Sequence, residues 1–340
     1  MALTIYDISK KAGVSIATVS RVLNGSENVR PSTRKKVLDV IEQYDYTPNV
    51  FARGMGLHTM HTIGIFCADS SDLFLAKAVY YLEQELQANG YQAILCCTGY
   101  EQDTRKNYVN LILSKKIDAL ILVGSNFVST TEEENQYIKD GASEVPVMIL
   151  NAAFDYPNVY STTCDDFSTM FDATCAMLKA GISDILYLYN SHSYSGLKKL
   201  NGFKAAMENY HITDFEDFIY YYEGDHNDTG AVADFVTGIV ASGRTFHGVI
   251  ASEDALAIGA VKYAQRNNLD IPKDLSIIGY NNSILSGFCS PELTSVDNKL
   301  EVQTHHLVQT LLGVLSGNKV PQKSVFTGRL IERGTTHFSN

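Results

Sequence analysis

The chain has 340 residues, 45% of them apolar, with 38 Asp/Glu against 27 Lys/Arg and a formal net charge of −11. A length prior of roughly 150 residues per domain makes this more than one domain, with enough apolar side chains for sizeable cores. No apolar segment follows a basic start and no run of 18 apolar residues occurs, so a spanning helix is excluded and the expected location is cytoplasmic. The acidic balance argues against a nucleic-acid partner until its distribution is read. Residues 1–61 hold eight Lys/Arg and five Asp/Glu, whereas the remainder holds nineteen and thirty-three. A basic head on an acidic body confines phosphate contact to the head.

The first two dozen residues read as two short helices and a tight turn. Thr4 can cap the first helix with Asp7 three residues on, as in a capping box, and Ile5, Ile8 and Ala12 recur at helical spacing. Gly13 suits the sharp turn, and Ser15 can cap the second helix. Val19, Val22 and Leu23 turn inward, leaving Ile16, Ala17, Thr18, Ser20 and Arg21 to face out. A second helix with small, polar and cationic groups on its outer face is what a major groove requires, so an all-α helix-turn-helix head is expected. Lys35 to Tyr44 gives a third helix closed by Val37, Val40 and Ile41, and Thr47-Pro48 ends it. Residues 48–60, with Gly54 and Gly56, read as a linker.

From Thr62 the texture changes. Apolar strands at 62–67, 91–97, 118–124 and 145–151 alternate with helices near 73–89 and 102–115 and a short helix before 145. The cadence restarts with strands at 185–189, 218–222, 248–251 and 275–280 and helices near 197–210, 228–241, 254–268 and 299–316. Continuous apolar strands between helices mean a parallel sheet covered on both faces, here twice over.

The run Ala12-Gly13-Val14-Ser15-Ile16-Ala17-Thr18-Val19-Ser20-Arg21-Val22-Leu23-Asn24 resembles, nearly residue for residue, the lactose-repressor (LacI/GalR) family of bacterial transcription regulators. The likeness continues through Val29-Arg30-Pro31-Ser32-Thr33-Arg34 to Tyr46-Thr47-Pro48-Asn49 and Ala52-Arg53. It implies a helix-turn-helix DNA-binding head over 1–47, a hinge helix or linker over 48–60, and an effector-binding and dimerisation body over 61–340. The body would be a periplasmic-binding-protein-like pair of Rossmann-like lobes. Lobe 1 would span about 61–161 and 292–322, and lobe 2 about 162–291 and 323–340. The chain would cross between lobes near 161, 292 and 323, with a last strand over Val325–Ile331. In the family the hinge becomes a helix on operator DNA and a Leu levers into the minor groove. Here Met55 takes that place beside Asn49, Ala52 and Arg53. Gly54 departs from the pattern and should cost about 1 kcal/mol of helix propensity. A plain flexible linker is the competing reading.

The resemblance also implies an effector crevice between the lobes, where strand ends meet. Asp69-Ser70-Ser71-Asp72-Leu73-Phe74-Leu75 resembles the family's Asp-x-x-Asn-Pro-Phe-Phe. It puts Asp69, Phe74 and Leu75 at the crevice, although Phe74 fits the core nearly as well. Lys199 stands for a clamping Arg, Glu253 for an Asn, and Asn281 for a hydroxyl-binding Asp; Asn151 ends the fourth strand. The usual stacking aromatic falls in Glu223-Gly224-Asp225-His226, where the match is loose. A sugar wants carboxylate acceptors and an Arg fork, and Lys keeps the charge but loses the fork. The altered set suggests an effector outside the commonest hexoses: an oligosaccharide, an amino or acidic sugar, or a non-sugar metabolite.

Nothing points to catalysis, cofactor or metal. No G-x-S-x-G, H-E-x-x-H or P-loop spacing occurs, and the six cysteines lack C-x-x-C spacing and read as buried thiols. Asp165-Asp166 lies at a lobe crossover. His305-His306 sits on a helix, where neighbours diverge by roughly 100° and cannot share an ion. The expectation is therefore a dimeric repressor of a pseudo-palindromic operator, set by a small-molecule, sugar-type effector. Its head contacts would be Thr4, Ser15, Ile16, Ala17, Thr18, Ser20, Arg21 and Asn24. A solute-binding protein of sugar uptake is the alternative.

Overall fold

Thr4 opens the first helix, α1 (Ile5–Ala12), with a reciprocal cap. Its hydroxyl accepts the Asp7 N–H at 3.4 Å, and Asp7 Oδ2 accepts the Thr4 N–H at 2.9 Å. The computed structural model describes residues 3–23, 26, 28–46 and 59–338. Gly13 ends α1 at φ +64°, a left-handed conformation that costs a residue without Cβ nothing. Ser15 then accepts the Thr18 N–H at 3.2 Å and starts α2 (Ile16–Leu23). The third helix, α3 (Pro31–Gln43), begins four residues before the Lys35 expected from apolar spacing, because Pro31 supplies a helix-ready φ in the first turn without joining the apolar stripe. Ile8, Ala12, Val19, Val22 and Val37 form the centre of this head, with Val40 and Ile41 packed at its edge.

The body holds two six-stranded sheets. The first runs β11 (Lys323–Phe326), β5 (Val159–Cys164), β4 (Val147–Leu150), β3 (Ala119–Val123), β1 (Thr62–Cys67), β2 (Gln92–Cys97). The second runs β12 (Arg329–Ile331), β10 (Thr294–Asp297), β9 (Ser276–Tyr280), β8 (Gly248–Ala251), β6 (Ile185–Tyr189), β7 (Ile219–Tyr221). Only β12 pairs antiparallel among the registers described. Both sheets place their first strand beside the third, so each has a switch point between β1 and β3 or between β6 and β8. The flanking helices are α4 (Leu73–Ala88), α5 (Gln102–Ser114), α6 (Gln136–Glu144), α7 (Asp166–Lys179), α8 (Tyr194–Asn209), α9 (Thr229–Ala241), α10 (Asp254–Arg266), α11 (Ile284–Phe288) and α12 (Leu300–Leu315).

Alternation along the strands of the second sheet feeds two cores. Leu186, Leu188, Val249 and Ala251 join α9 and α10 on one face, while Ile185, Tyr187 and Ile250 join α7 and α8 on the other. On that second face Phe203 stacks on Tyr187 at 4.6 Å, and α8 approaches α7 so closely that a Cβ on Gly202 would lie 2.3 Å from the Phe167 carbonyl oxygen.

The chain passes between sheets after Cys164, after Asp297 and after Phe326. Each crossing lies a few residues beyond the expected 161, 292 and 323. The expected single strand over Val325–Ile331 is two strands: β11 ends at Phe326 in the first sheet, and β12 starts at Arg329 in the second. Between them Gly328 N–H donates to Thr169 Oγ1 at 3.2 Å. Thr294–Asp297 is a sheet strand that the apolar pattern did not show, since its buried members include Thr294 and Ser295. By compactness the chain divides into residues 1–62 with 116–118 and residues 63–115 with 119–340.

Candidate functional site

The outer face of α2 carries Ile16, 38% exposed, with Ala17 and Arg21 also exposed, and Thr18 and Ser20 half-buried. Val19 and Val22, on the opposite side, are buried. Thr4 and Ser15 lie exposed at the starts of α1 and α2, where their hydroxyls already cap the helices, and Ser15 Oγ stands 2.9 Å from Thr18 Oγ1. The face therefore offers one apolar side chain, one methyl, hydroxyls and one guanidinium. These are the groups that read base edges and phosphates in a major groove. Asn24, Asn49, Ala52, Arg53 and Met55 lie outside the described residues.

In the body, the residues immediately after six strand ends converge on one cavity of about 250 Å³ between the two sheets. Asn126 follows β3, Asn151 follows β4, Asn190 follows β6, Glu253 follows β8 and Asn281 follows β9; Asp72, Phe74 and Leu75 follow β1 at the start of α4. Asn151 and Asn281 stand at φ +70° and +95°, conformations that asparagine tolerates better than most residues. Six of the seven residues expected here line the cavity: Phe74, Leu75, Asn151, Lys199, Glu253 and Asn281. Asp69 does not. Its Oδ1 accepts the Ser71 N–H at 2.8 Å and the Ser71 hydroxyl at 2.7 Å, so that carboxylate oxygen is held by its own loop. Asp72 takes the cavity position instead and caps α4 through the Leu75 N–H at 2.8 Å.

Lys199 is 8% exposed and its ammonium is already held. Nζ donates to the Ser252 carbonyl at 3.0 Å and lies 4.0 Å from the centre of the Tyr280 ring. Tyr280 in turn donates to Asp166 Oδ1 at 2.6 Å. Burial pushes the Asp166 carboxyl up from its ordinary range, and the Lys199 charge opposes that. Glu253 Oε1 accepts from Asn190 Nδ2 at 2.8 Å. Burial raises its carboxyl as well; His226 pulls it down and Asp72 pushes it further up.

Several lining groups were not among the residues expected here, although Asp72 and His226 lie in stretches the family likeness covers. Asp72, Tyr100, Ser125, Asn126, Asn190, Ser193 and His226 all reach the cavity. His226 belongs to the stretch where the family likeness is loose. Asn126 buries both side-chain polar atoms without a partner, as a group awaiting a ligand would. The remaining titratable pairs go separate ways. Asp165 caps α7 through Ser168 N–H at 3.1 Å. His305 reaches Glu85 at 3.0 Å, and His306 reaches Ser324 Oγ at 2.8 Å. The six cysteines are free thiols, and burial pushes those of Cys67 and Cys164 to about 11, so they stay protonated at neutral pH. Among the described residues no helix is long and apolar enough to cross a membrane.

Residues 4–49 match the bacterial regulatory proteins of the lacI family, and residues 175–336 match the periplasmic binding protein-like domain. An HTH-type transcriptional regulator of Lachnoclostridium phytofermentans is 49% identical over 336 residues, 99% of this chain and 100% of that protein. Catabolite control protein A of Priestia megaterium is 34% identical over 299 residues, 87% of each chain. Among solved structures, the lac repressor dimer bound to operator and the anti-inducer ONPF shares the fold at TM-score 0.87 and 20% identity, covering 98% of this chain and 99% of that one. A complex of the transcriptional regulator CelR with cellobiose matches at TM-score 0.70 and 21% identity over 98% of this chain and 100% of that one.

Proposed function

Since the chain belongs to the lacI family of bacterial regulatory proteins, and so is a DNA-binding transcription regulator and not an enzyme, we propose that it acts as a dimeric repressor controlled by a small, sugar-type effector. The observation that carries the effector reading is the polar cavity between the lobes. Its walls offer amides from Asn126, Asn151, Asn190 and Asn281, carboxylates from Asp72 and Glu253, and the Lys199 ammonium, with Phe74 beside them. Convergent donors and acceptors with the aromatic rings of Phe74 and Tyr100 beside them suit a ligand made largely of hydroxyl groups. The volume, about 250 Å³, lies below the roughly 300–1,000 Å³ of pockets for drug-sized molecules and favours one small ligand.

The head reads one operator half-site, with Arg21 on a guanine or a phosphate and Ile16 and Ala17 against base edges. Two heads supply the avidity that one small domain lacks. The body offers a face for the second copy: Tyr80, Ile284, Phe288 and Val302 are each at least 50% exposed and flank a hollow of about 870 Å³ and its neighbour of about 480 Å³. Ligand binding and DNA binding are linked through the lobes by one reciprocal free energy.

A thermal-shift screen of the full chain against mono- and disaccharides tests the effector reading. A true effector at a hundred times its Kd stabilises by about 2.7 kcal/mol. Silence across the panel overturns the sugar reading.

A further inference from the structure

Three side chains able to ligate a metal, from three separate loops, meet in the wall of the cavity. Asp72 Oδ2 lies 3.8 Å from His226 Nε2, and His226 Nε2 lies 3.9 Å from Glu253 Oε1; all three ligand atoms fall within 4.8 Å of one another. Their side chains are only 19%, 25% and 17% exposed. Neither gap is a hydrogen bond. We propose that Asp72, His226 and Glu253 form a divalent-metal site of the zinc class that ties the two lobes together.

The donor set selects the metal. One imidazole nitrogen and two carboxylates suit zinc, whereas calcium and magnesium prefer oxygen alone. Zinc bonds of about 2.0–2.2 Å set tetrahedral ligands roughly 3.4 Å apart, so the two His226 gaps close by a few tenths of an ångström around the ion. The charges match as well: two carboxylates crowd a half-buried spot, and a divalent cation cancels both.

The surroundings are those of an oriented ligand set. Asp72 spends Oδ1 on the Leu75 N–H and keeps Oδ2 for His226. Glu253 is steered by Asn190 at 2.8 Å. Such outer hydrogen bonds hold ligating carboxylates in place. Asp72 follows β1 in the first sheet, while His226 and Glu253 follow β7 and β8 in the second. An ion there pins one lobe to the other. Three protein ligands leave a fourth position, and the same three residues line the effector cavity, so that position opens toward a ligand oxygen. The site stands whether or not the effector is a sugar.

The test uses the full chain, stripped with a chelator and dialysed against zinc chloride alone, with a Cys97→Ser background to remove the exposed thiol. The expected result is one retained zinc per chain and a rise in melting temperature. His226→Ala and Glu253→Gln should each weaken retention at least tenfold and abolish the rise. His226→Gln, which keeps size and polarity, guards against simple misfolding, and circular dichroism of the stripped proteins checks that each variant is folded. No retained zinc, or retention unchanged in folded His226 variants, overturns the proposal. No sugar enters this assay, so its failure leaves the effector reading standing, and a silent sugar screen leaves the metal site standing.

Discussion

Ser125 Oγ, after the third strand of one lobe, donates to Ser193 Oγ of the other lobe across 2.8 Å. Ser193 has a second duty, accepting the Gly196 N–H at 3.3 Å as the N-cap of α8. The two serines are thus unequal. Ser125→Ala removes only the bond between lobes, at about 1 kcal/mol. Ser193→Ala removes the bond and the cap, at about 2 kcal/mol. Urea denaturation of the full chain should order them so; equal losses would contradict the assignment.

Lys199 offsets a buried carboxylate. Asp166 is raised by burial and held down by the Lys199 charge. A raised carboxyl favours folding while protonated and loses that contribution as pH rises through its folded value. Lys199→Met removes the opposing charge, so Asp166 rises further and the variant's deficit against wild type grows with pH above the ordinary carboxylate range. Melting curves at pH 5 and pH 8 should show the larger gap at pH 8. A gap that is equal, or larger at pH 5, refutes the linkage.

Phe288 is 77% exposed on α11, beside Ile284 at 65%. Phe288→Asp places a charge in the face assigned to the second copy. Sedimentation velocity should show a shift from dimer to monomer, with dimerisation weakened at least tenfold, about 1.4 kcal/mol. An unchanged dimer moves the interface elsewhere.

What the sequence made legible follows the physics of each segment. The head was readable because its signals are local: Thr4, Asp7, Gly13 and Ser15 act within three or four residues of one another, and the structure uses each as a cap or turn. The central strands of the sheets were readable from apolar runs, but strands toward one edge were not. Thr294–Asp297 buries Thr and Ser in place of aliphatics, and the Phe326–Arg329 break depends on which sheet receives each strand, a long-range fact. The same limit explains the cleft. Asp69 and Asp72 both suit it by type, and Ser71 decides between them by closing on Asp69. His226 arrives from a loop whose spacing carries no motif, and only the fold brings it beside Asp72 and Glu253.

The most direct test of the whole account is a gel shift of the full chain with genomic fragments, titrated in protein concentration. Arg21 is exposed on α2, and the proposed function has it read a base edge or a phosphate. The account predicts retention of a small set of fragments at two chains per site. It also predicts that Arg21→Ala loses about 1–3 kcal/mol of that specific binding while the melting of the body is unchanged. A wild-type chain that holds no fragment above bulk DNA, as a transport solute-binding protein would behave, or an Arg21→Ala variant that binds its fragments as before, contradicts it.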